Sequence, residues 1–179
     1  MKKIVFLIVC IIYGFSCFGQ QVVDLNGLAS INLPDGAKKI SKEQALSHAS
    51  ERFNNDKIVL GSISRRATDH IYKVDNILIS FFTDNHSVSA GHLLANKKSY
   101  DELFKDDTSY TSSLKKVNNN SVMIINYKMG DVEYYHFTCY NASNSIAATG
   151  VLEFNKIDAN EASGILNDVI KSITFKSDE

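Results

Sequence analysis

Two neighbouring segments decide the fold of this chain: residues 122–127 (VMIINY) and residues 132–140 (VEYYHFTCY), separated by a turn at Met129-Gly130-Asp131. Both segments are rich in β-branched and aromatic residues, which suit a pleated, half-buried surface. We therefore predict two strands joined by a tight hairpin. A third strand, a capped helix and a short apolar strand follow and end at Phe175.

Side chains alternate between the two faces of a strand, so the faces of this hairpin can be read directly. One face of the second strand carries Tyr135, Phe137 and Cys139. The opposite face carries Val132, Tyr134, His136, Thr138 and Tyr140.

The next strand is predicted around residues 146–155, and it alternates in the same way. Its apolar face carries Ile146, Ala148, Gly150, Leu152 and Phe154. Its other face carries Thr149, Glu153 and Asn155, and we expect that face to be solvated. We expect Gly150 to mark a bulge or a close approach of the backbone.

Helix-capping patterns predict where the helices begin. Ser41 with Gln44 forms a capping box, and Ser99 with Glu102 forms a second one. Asp158 is predicted to cap the last helix, whose apolar stripe is Ala162, Ile165, Leu166, Val169 and Ile173.

Between the first two capping signals, residues 57–64 are predicted to be a strand, because they contain Ile58, Val59, Leu60 and Ile63. The pair Asp75-Asn76 is typical of a two-residue hairpin turn. The basic dipeptides are predicted to be solvated surface; they are Lys38-Lys39, Arg65-Arg66, Lys97-Lys98 and Lys115-Lys116. Together these elements predict an α+β fold, with an antiparallel β-sheet of about six or seven strands packed with three or four helices.

The first residues have the pattern of a signal peptide. Lys2 and Lys3 precede an apolar run at residues 4–12, and Cys17-Phe18-Gly19 suits cleavage before Gln20. This segment resembles signal peptides of the Bacteroidetes. We therefore expect residues 1–19 to be removed and residues 20–179 to form one domain, periplasmic or extracellular, with no membrane span in the mature chain. Lipid attachment at Cys17 is the less favoured alternative.

Charge and composition exclude some classes of function. Without Lys2 and Lys3, 17 basic residues face 20 acidic ones. This mildly acidic balance argues against nucleic acid as a partner. No catalytic motif and no cofactor loop is recognisable, so we expect a protein that is not an enzyme and holds no cofactor.

The order of the elements resembles a known family. A strand ending in Leu33-Pro34-Asp35-Gly36, an early helix, long meandering strands and a final helix followed by Ser172-Ile173-Thr174-Phe175 are similar to the Mog1/PsbP-like α/β/α sandwich. The resemblance implies that fold and a mostly non-enzymatic role in binding or assembling a larger complex. It implies no binding residue.

Three constellations are candidates for a site. The aromatic face of Tyr134, His136 and Tyr140, with Tyr127 across the turn, suits a partner surface if it is open and a core if helices cover it. Asp84, His86 and His92 are candidates for a metal site in a loop. His136 and Cys139 lie on opposite faces of their strand, so Cys139 is predicted to be structural.

Two functions remain open from the sequence. The first is an exported, non-enzymatic domain that binds another protein of the bacterial envelope, in an assembly or immunity-like role. The second is a pocket protein for a small ligand or a metal, possibly a hydrolase, with the loop of Asp84, His86 and His92 at its mouth.

Overall fold

A computed structural model describes residues 21–176 and contains two antiparallel sheets and four α-helices. The predicted signal peptide, the cleavage site and Cys17 lie outside these residues. No helix within residues 21–176 is long and apolar enough to cross a membrane.

The main sheet has seven strands in the order β3-β4-β5-β9-β8-β7-β6. Their bounds are β3 Lys38–Lys39, β4 Ile71–Val74, β5 Ile77–Asp84, β6 Thr111–Val117, β7 Asn120–Met129, β8 Val132–Tyr140 and β9 Ala147–Asn155. A small sheet has the order β1-β2-β10, with β1 Gln21–Leu25, β2 Ala29–Leu33 and β10 Thr174–Phe175. The predicted α+β class and strand number are confirmed.

The helices are α1 Lys42–Arg52, α2 Lys57–Arg65, α3 His92–Leu103 and α4 Ala159–Ser172, with a 3₁₀ turn at Lys156–Asp158. Helix α4 and the small sheet cover one side of the main sheet, which we call the α4 face. Helices α1, α2 and α3 cover the other side, which we call the three-helix face. The main sheet is therefore the middle layer of an α/β/α sandwich.

The α4 face is built as the alternation predicts. Phe137, Cys139, Leu152 and Phe154 of the sheet pack in one apolar cluster with the stripe of α4. Gly150 lies opposite Phe137 in the neighbouring strand, and a Cβ at this position would overlap the Phe137 ring. The predicted close approach at Gly150 is confirmed.

Residues 57–64 were predicted to be a strand. They lie instead in helix α2. The Asp56 carboxylate accepts hydrogen bonds from the backbone N–H groups of Ile58 (2.8 Å) and Val59 (3.2 Å), and so caps the helix. Val59 and Ile63, four residues apart, are the buried positions. The spacing of apolar residues therefore outweighs the β-branched composition.

Of the predicted helix caps, Ser99 is wrong, whereas Asp158 does occupy the N-cap position of α4. Ser99 lies inside α3, where its hydroxyl donates to the Ala95 carbonyl 3.1 Å away, because a serine within a helix can bond back to the preceding turn. Asp158 makes no side-chain capping bond; its carboxylate accepts from Arg52 of α1 at 3.0 Å. The capping box of Ser41 and Gln44 is confirmed in both directions.

Candidate functional site

The four residues of the predicted partner surface share the three-helix face, as the alternation indicates, but helices cover most of it. Tyr134 is 1% exposed and Tyr140 is 7% exposed, while Tyr127 and His136 are partly buried. The four residues therefore do not form an open patch, and the prediction of a partner surface made of all four is wrong. Tyr134 and Tyr140 belong to the core. The covering helices bury the apolar bodies of these rings, which favours the covered arrangement over the open one.

Tyr140 lies beneath the first turn of α3. It packs with Leu93 and Met123, and the His92 ring meets it edge-on at a centroid distance of 5.9 Å. His92 thus has a packing role in the described structure.

Tyr134 begins a stack of four aromatic rings that reaches the edge of the sheet. The Tyr134 and Tyr127 rings are 5.0 Å apart and almost parallel, with 3° between their planes. Phe104 lies 5.5 Å beyond Tyr127, and Tyr110 lies 5.0 Å beyond Phe104. We call these four residues the aromatic ladder; it connects the buried centre of the three-helix face to its surface.

The outer end of the aromatic ladder is anchored by polar contacts. The Tyr110 hydroxyl donates to the Asp101 carboxylate at 3.0 Å, and the Lys97 ammonium donates to the same carboxylate at 2.7 Å. Leu103, next to Phe104, is 72% exposed. The outer end of the aromatic ladder therefore holds Tyr110 in a fixed position, and the exposed Leu103 lies near it in sequence.

The inner end of the ladder lies beside a buried ion pair. Glu153 is directly opposite Tyr134 in the register of β8 and β9, and its side chain is fully buried. The Arg66 guanidinium donates to Glu153 Oε1 at 2.5 Å and to the Ser80 hydroxyl at 2.7 Å. Arg66 and Glu153 were both predicted to be solvated. Both predictions are wrong, because α2 ends over the sheet and carries Arg66 onto Glu153.

The electrostatics of this region follow from its burial. Burial raises the pKa of Glu153 above its ordinary range, although the Arg66 guanidinium lowers it. Burial also raises the pKa of Tyr127 to about 12. The Tyr134 hydroxyl and Glu153 Oε2 have no hydrogen-bond partner among the described residues. Buried polar atoms without a hydrogen-bond partner lower the stability of the fold, and the apolar packing around them must offset this loss.

His136 is held neutral in the same layer. Its ring meets Tyr100 of α3 edge-on at 6.4 Å. Burial, and then the positive charge of Arg66, lower the pKa of His136 to about 4. A histidine in this state is a neutral core residue rather than a general base at neutral pH.

Cys139 lies on the α4 face, away from His136, as its strand position predicts. The side chain is fully buried, and burial raises the pKa of its thiol to about 12. The thiolate that nucleophilic chemistry needs is therefore disfavoured.

The candidate metal loop is not assembled. Within residues 21–176, no three side chains of the ligand types converge on one point, Asp84, His86 and His92 included. His92 lies at 3.0 Å from the Asn96 amide and lines a groove of about 340 Å³ beside α3, which neither Asp84 nor His86 reaches. A cleft of about 700 Å³ near the start of α1 is lined by Lys39, Lys42, Glu43, Arg66 and Asp69, and it is open to solvent.

Sequence reasoning missed Arg66, Glu153, Phe104 and Tyr110. Glu153 lies between Leu152 and Phe154 in a strand, a position where a glutamate is expected to face water. Arg66 is 87 positions away from it, so no local spacing indicates the pair. Phe104 and Tyr110 are near each other in sequence, but the stacking of Phe104 on Tyr127 depends on how α3 crosses the sheet.

Comparisons with known proteins give the fold and no family. No family model and no curated protein matches the chain. The solution structure of cyanobacterial PsbP (CyanoP) from Synechocystis is similar with a TM-score of 0.51, at 8% identity, over 91% of this chain and 96% of that one.

Two further structures are similar at lower scores. The Ran-binding protein Mog1p of Saccharomyces cerevisiae has a TM-score of 0.47 and 11% identity, over 88% of this chain and 95% of that one. A protein of Bacteroides thetaiotaomicron has a TM-score of 0.46 and 12% identity, over 90% of this chain and 50% of that one. The chain therefore has the α/β/α sandwich fold of the PsbP structure, as the resemblance predicts.

Proposed function

We propose that this chain is an exported, non-enzymatic binding domain whose partner is another protein of the bacterial envelope, in an assembly or immunity-like role. The proposed contact is the accessible end of the aromatic ladder: Tyr127, Phe104 and Tyr110, with Leu103 beside them. Export is supported by the sequence pattern of the first residues, with Lys2 and Lys3 before an apolar run.

The aromatic ladder carries this proposal. Stacked rings with parallel planes lose little conformational freedom on binding, so a partner gains apolar contact at a low entropic cost. Asp101 fixes Tyr110 from the solvent side, while the buried Tyr134 fixes Tyr127 from the inside. Aromatic side chains in such a preorganised setting often dominate the binding energy of an interface.

Leu103 adds an apolar group that the fold leaves outside. It is 72% exposed, and it lies at the end of α3 beside Phe104. A single exposed leucine is ordinary. Here the exposed leucine directly precedes Phe104, a partly buried member of the aromatic ladder, so an apolar and an aromatic residue both reach the surface at the end of α3, and residues of these types suit the centre of a protein interface.

The Mog1p structure is named as a Ran-binding protein. That name describes Mog1p, and the likeness to it supports no partner for this chain. The partner class proposed above rests on the export signal and on the ladder.

The test is native mass spectrometry of the protein captured gently from the envelope and medium of its own host, as wild type and as Leu103→Asp. We expect one defined polypeptide to accompany the wild type and to be lost from Leu103→Asp. Because Leu103 is exposed, the free energy of unfolding should change by no more than about 0.5 kcal/mol.

The matched control is Ile157→Asp, which introduces the same charge at a residue that is 83% exposed in the 3₁₀ turn. It should retain the polypeptide. The proposal would be overturned if both variants retained the polypeptide equally, or if every preparation contained the protein alone. It would also be overturned if a small molecule accompanied the protein in place of a polypeptide.

A further inference from the structure

Strand β6 is a long sheet edge with one free side. It pairs with β7 only, and no other strand of residues 21–176 lies on its outer side. The opposite edge strand, β3, has two residues, whereas β6 has seven. A free edge of this length offers a row of backbone N–H and C=O groups to another strand.

The side chains of β6 divide between the two faces. Ser112, Leu114 and Lys116 pair with Ile125, Met123 and Ser121 and share the three-helix face. Ser113 and Lys115 lie on the other face. Leu114, the midpoint of the strand, is 39% exposed.

Helix α3 runs over the same edge and adds to this surface. Its Asp101 carboxylate accepts a hydrogen bond from the Ser112 hydroxyl at 2.5 Å. Its Leu94 is 49% exposed and lines the 340 Å³ groove together with Leu114 and Lys116. The edge on this face therefore has an apolar centre, a carboxylate towards one end and an ammonium towards the other.

This arrangement is complementary to itself. In an antiparallel pairing of two copies with a two-fold axis at Leu114, the two Leu114 side chains face each other. Lys116 of each copy then lies opposite Ser112 of the second copy, under Asp101 of that copy. Directly opposed residues in an antiparallel pair have Cβ atoms about 5 Å apart, so the lysine side chain is long enough to reach the carboxylate.

The pairing also satisfies the geometry of a sheet. Opposed residues in this register are both even-numbered or both odd-numbered, so each pair shares a face, and the outward-pointing backbone groups of one strand meet those of the other. The two copies of α3 then lie on the same face of the continued sheet, where Leu94 and Leu114 of each copy line one groove.

We propose that β6 is a self-association site, at which two copies of this chain pair antiparallel about Leu114 and their main sheets continue into one. The proposal goes beyond the binding of an envelope partner; it uses the edge of β6 and Leu94, and it shares Asp101 with the anchored end of the aromatic ladder. Leu94 and Leu103 are nine positions apart on α3, which places them on opposite sides of the helix.

Charge favours a second copy over a foreign strand of a single sign. An acidic strand would attract Lys116 but would be repelled by Asp101, whose charge the Lys97 ammonium only partly offsets, and a basic strand would be attracted by Asp101 but repelled by Lys116. Lys116 forms no ion pair within the described residues, so its ammonium is available. The antiparallel second copy satisfies both ends at once, because its charges run in the opposite direction.

The test is sedimentation velocity of the purified protein over a wide concentration range. We expect the wild type to form a reversible dimer. Lys116→Glu places a glutamate against Asp101 of the second copy and should weaken dimerisation by about tenfold or more, because like charges are juxtaposed in the contact.

The matched control is Lys115→Glu, which makes the same change of charge on the neighbouring residue but on the opposite face. It should leave the dimer within about threefold of the wild type, since no carboxylate of the second copy is opposite it in the proposed register. Circular dichroism should show that both variants are folded.

A wild type that remains monomeric at every concentration would overturn the proposal. Equal weakening by the two lysine variants would overturn the register. Neither result bears on the envelope partner, whose capture is tested at Leu103.

Discussion

The two faces of the main sheet are built on different principles. The centre of the α4 face is apolar: Phe137, Leu152 and Phe154 pack against the stripe of α4 in one cluster of uncharged side chains. The three-helix face encloses the Arg66–Glu153 pair, a neutral His136 and the Tyr134 hydroxyl, which has no hydrogen-bond partner within residues 21–176. The first face stabilises the fold by burial alone, while the second holds polar groups whose fit depends on contacts between distant segments.

The difference separates packing from recognition. The aromatic ladder and the β6 edge, on which the two proposals rest, both belong to the three-helix side. Buried ion pairs contribute little net stability, because desolvation offsets their attraction, so the Arg66–Glu153 pair is better explained as fixing the position of α2 against β9. Three variants test this difference between the two faces.

The largest effect is expected on the three-helix face, from Arg66→Met. It leaves the Glu153 carboxylate buried without its cation, and the free energy of unfolding should fall by about 3–5 kcal/mol at neutral pH. Urea unfolding followed by circular dichroism measures the change.

The deficit of Arg66→Met should shrink as the pH is lowered. A raised pKa in the folded state means that Glu153 favours folding below its ordinary value of 4.5 and loses this contribution as the pH rises through the folded-state pKa. Removing the guanidinium raises the pKa of Glu153 further, so its carboxyl group becomes protonated at a higher pH than in the wild type. The control is the double variant Arg66→Met with Glu153→Leu, which should recover most of the stability; a double variant as unstable as the single one would contradict the account.

The next effect concerns the α4 face, where Gly150→Ala introduces a methyl group into the space of the Phe137 ring. Overpacking of this kind should lower the free energy of unfolding by about 1–3 kcal/mol. In a Phe137→Leu background, Gly150→Ala should lower the free energy of unfolding by less. A double-mutant cycle measures the coupling between the two positions.

Gly164→Ala is the matched control for Gly150→Ala. Gly164 lies in α4, and a Cβ there meets no atom within 4 Å. Because alanine is the better helix former, this variant should be neutral or stabilised by up to about 1 kcal/mol. If the two alanine variants behave alike, the close approach of β8 and β9 at Gly150 is not a constraint.

The smallest effect is a change of pH dependence from His136→Phe. The pKa of His136 is lowered from 6.5 to about 4 in the folded state, so the wild type loses stability as the pH falls from the first value towards the second. The variant should have a flatter profile of melting temperature in this window. A variant profile as steep as that of the wild type would contradict the burial of His136.

The α4 face was predictable to a large extent because its signals are local. The alternation of Tyr135, Phe137 and Cys139 and the 3.6-residue stripe of α4 each require only neighbouring residues. The hairpin turn at Asp75-Asn76 is local as well; Asp75 has a φ of 44°, a conformation that aspartate tolerates better than most residues.

Helix α2 shows where a local signal was ambiguous. Residues 57–64 contain enough β-branched side chains for a strand, and Val59 and Ile63 also have the spacing of a helix. Over so few residues, composition and period predict different structures, and packing against the sheet decides between them.

The fold class, the hairpins and the apolar faces follow from the amino-acid sequence, because period and turn chemistry act between residues that are close in the chain. The burial of Tyr134, the contact of Arg66 with Glu153 and the stacking of the aromatic ladder become visible only in the folded chain. These contacts join segments far apart in sequence, and the free energy of each depends on the position of a whole helix over the sheet rather than on the residues next to it.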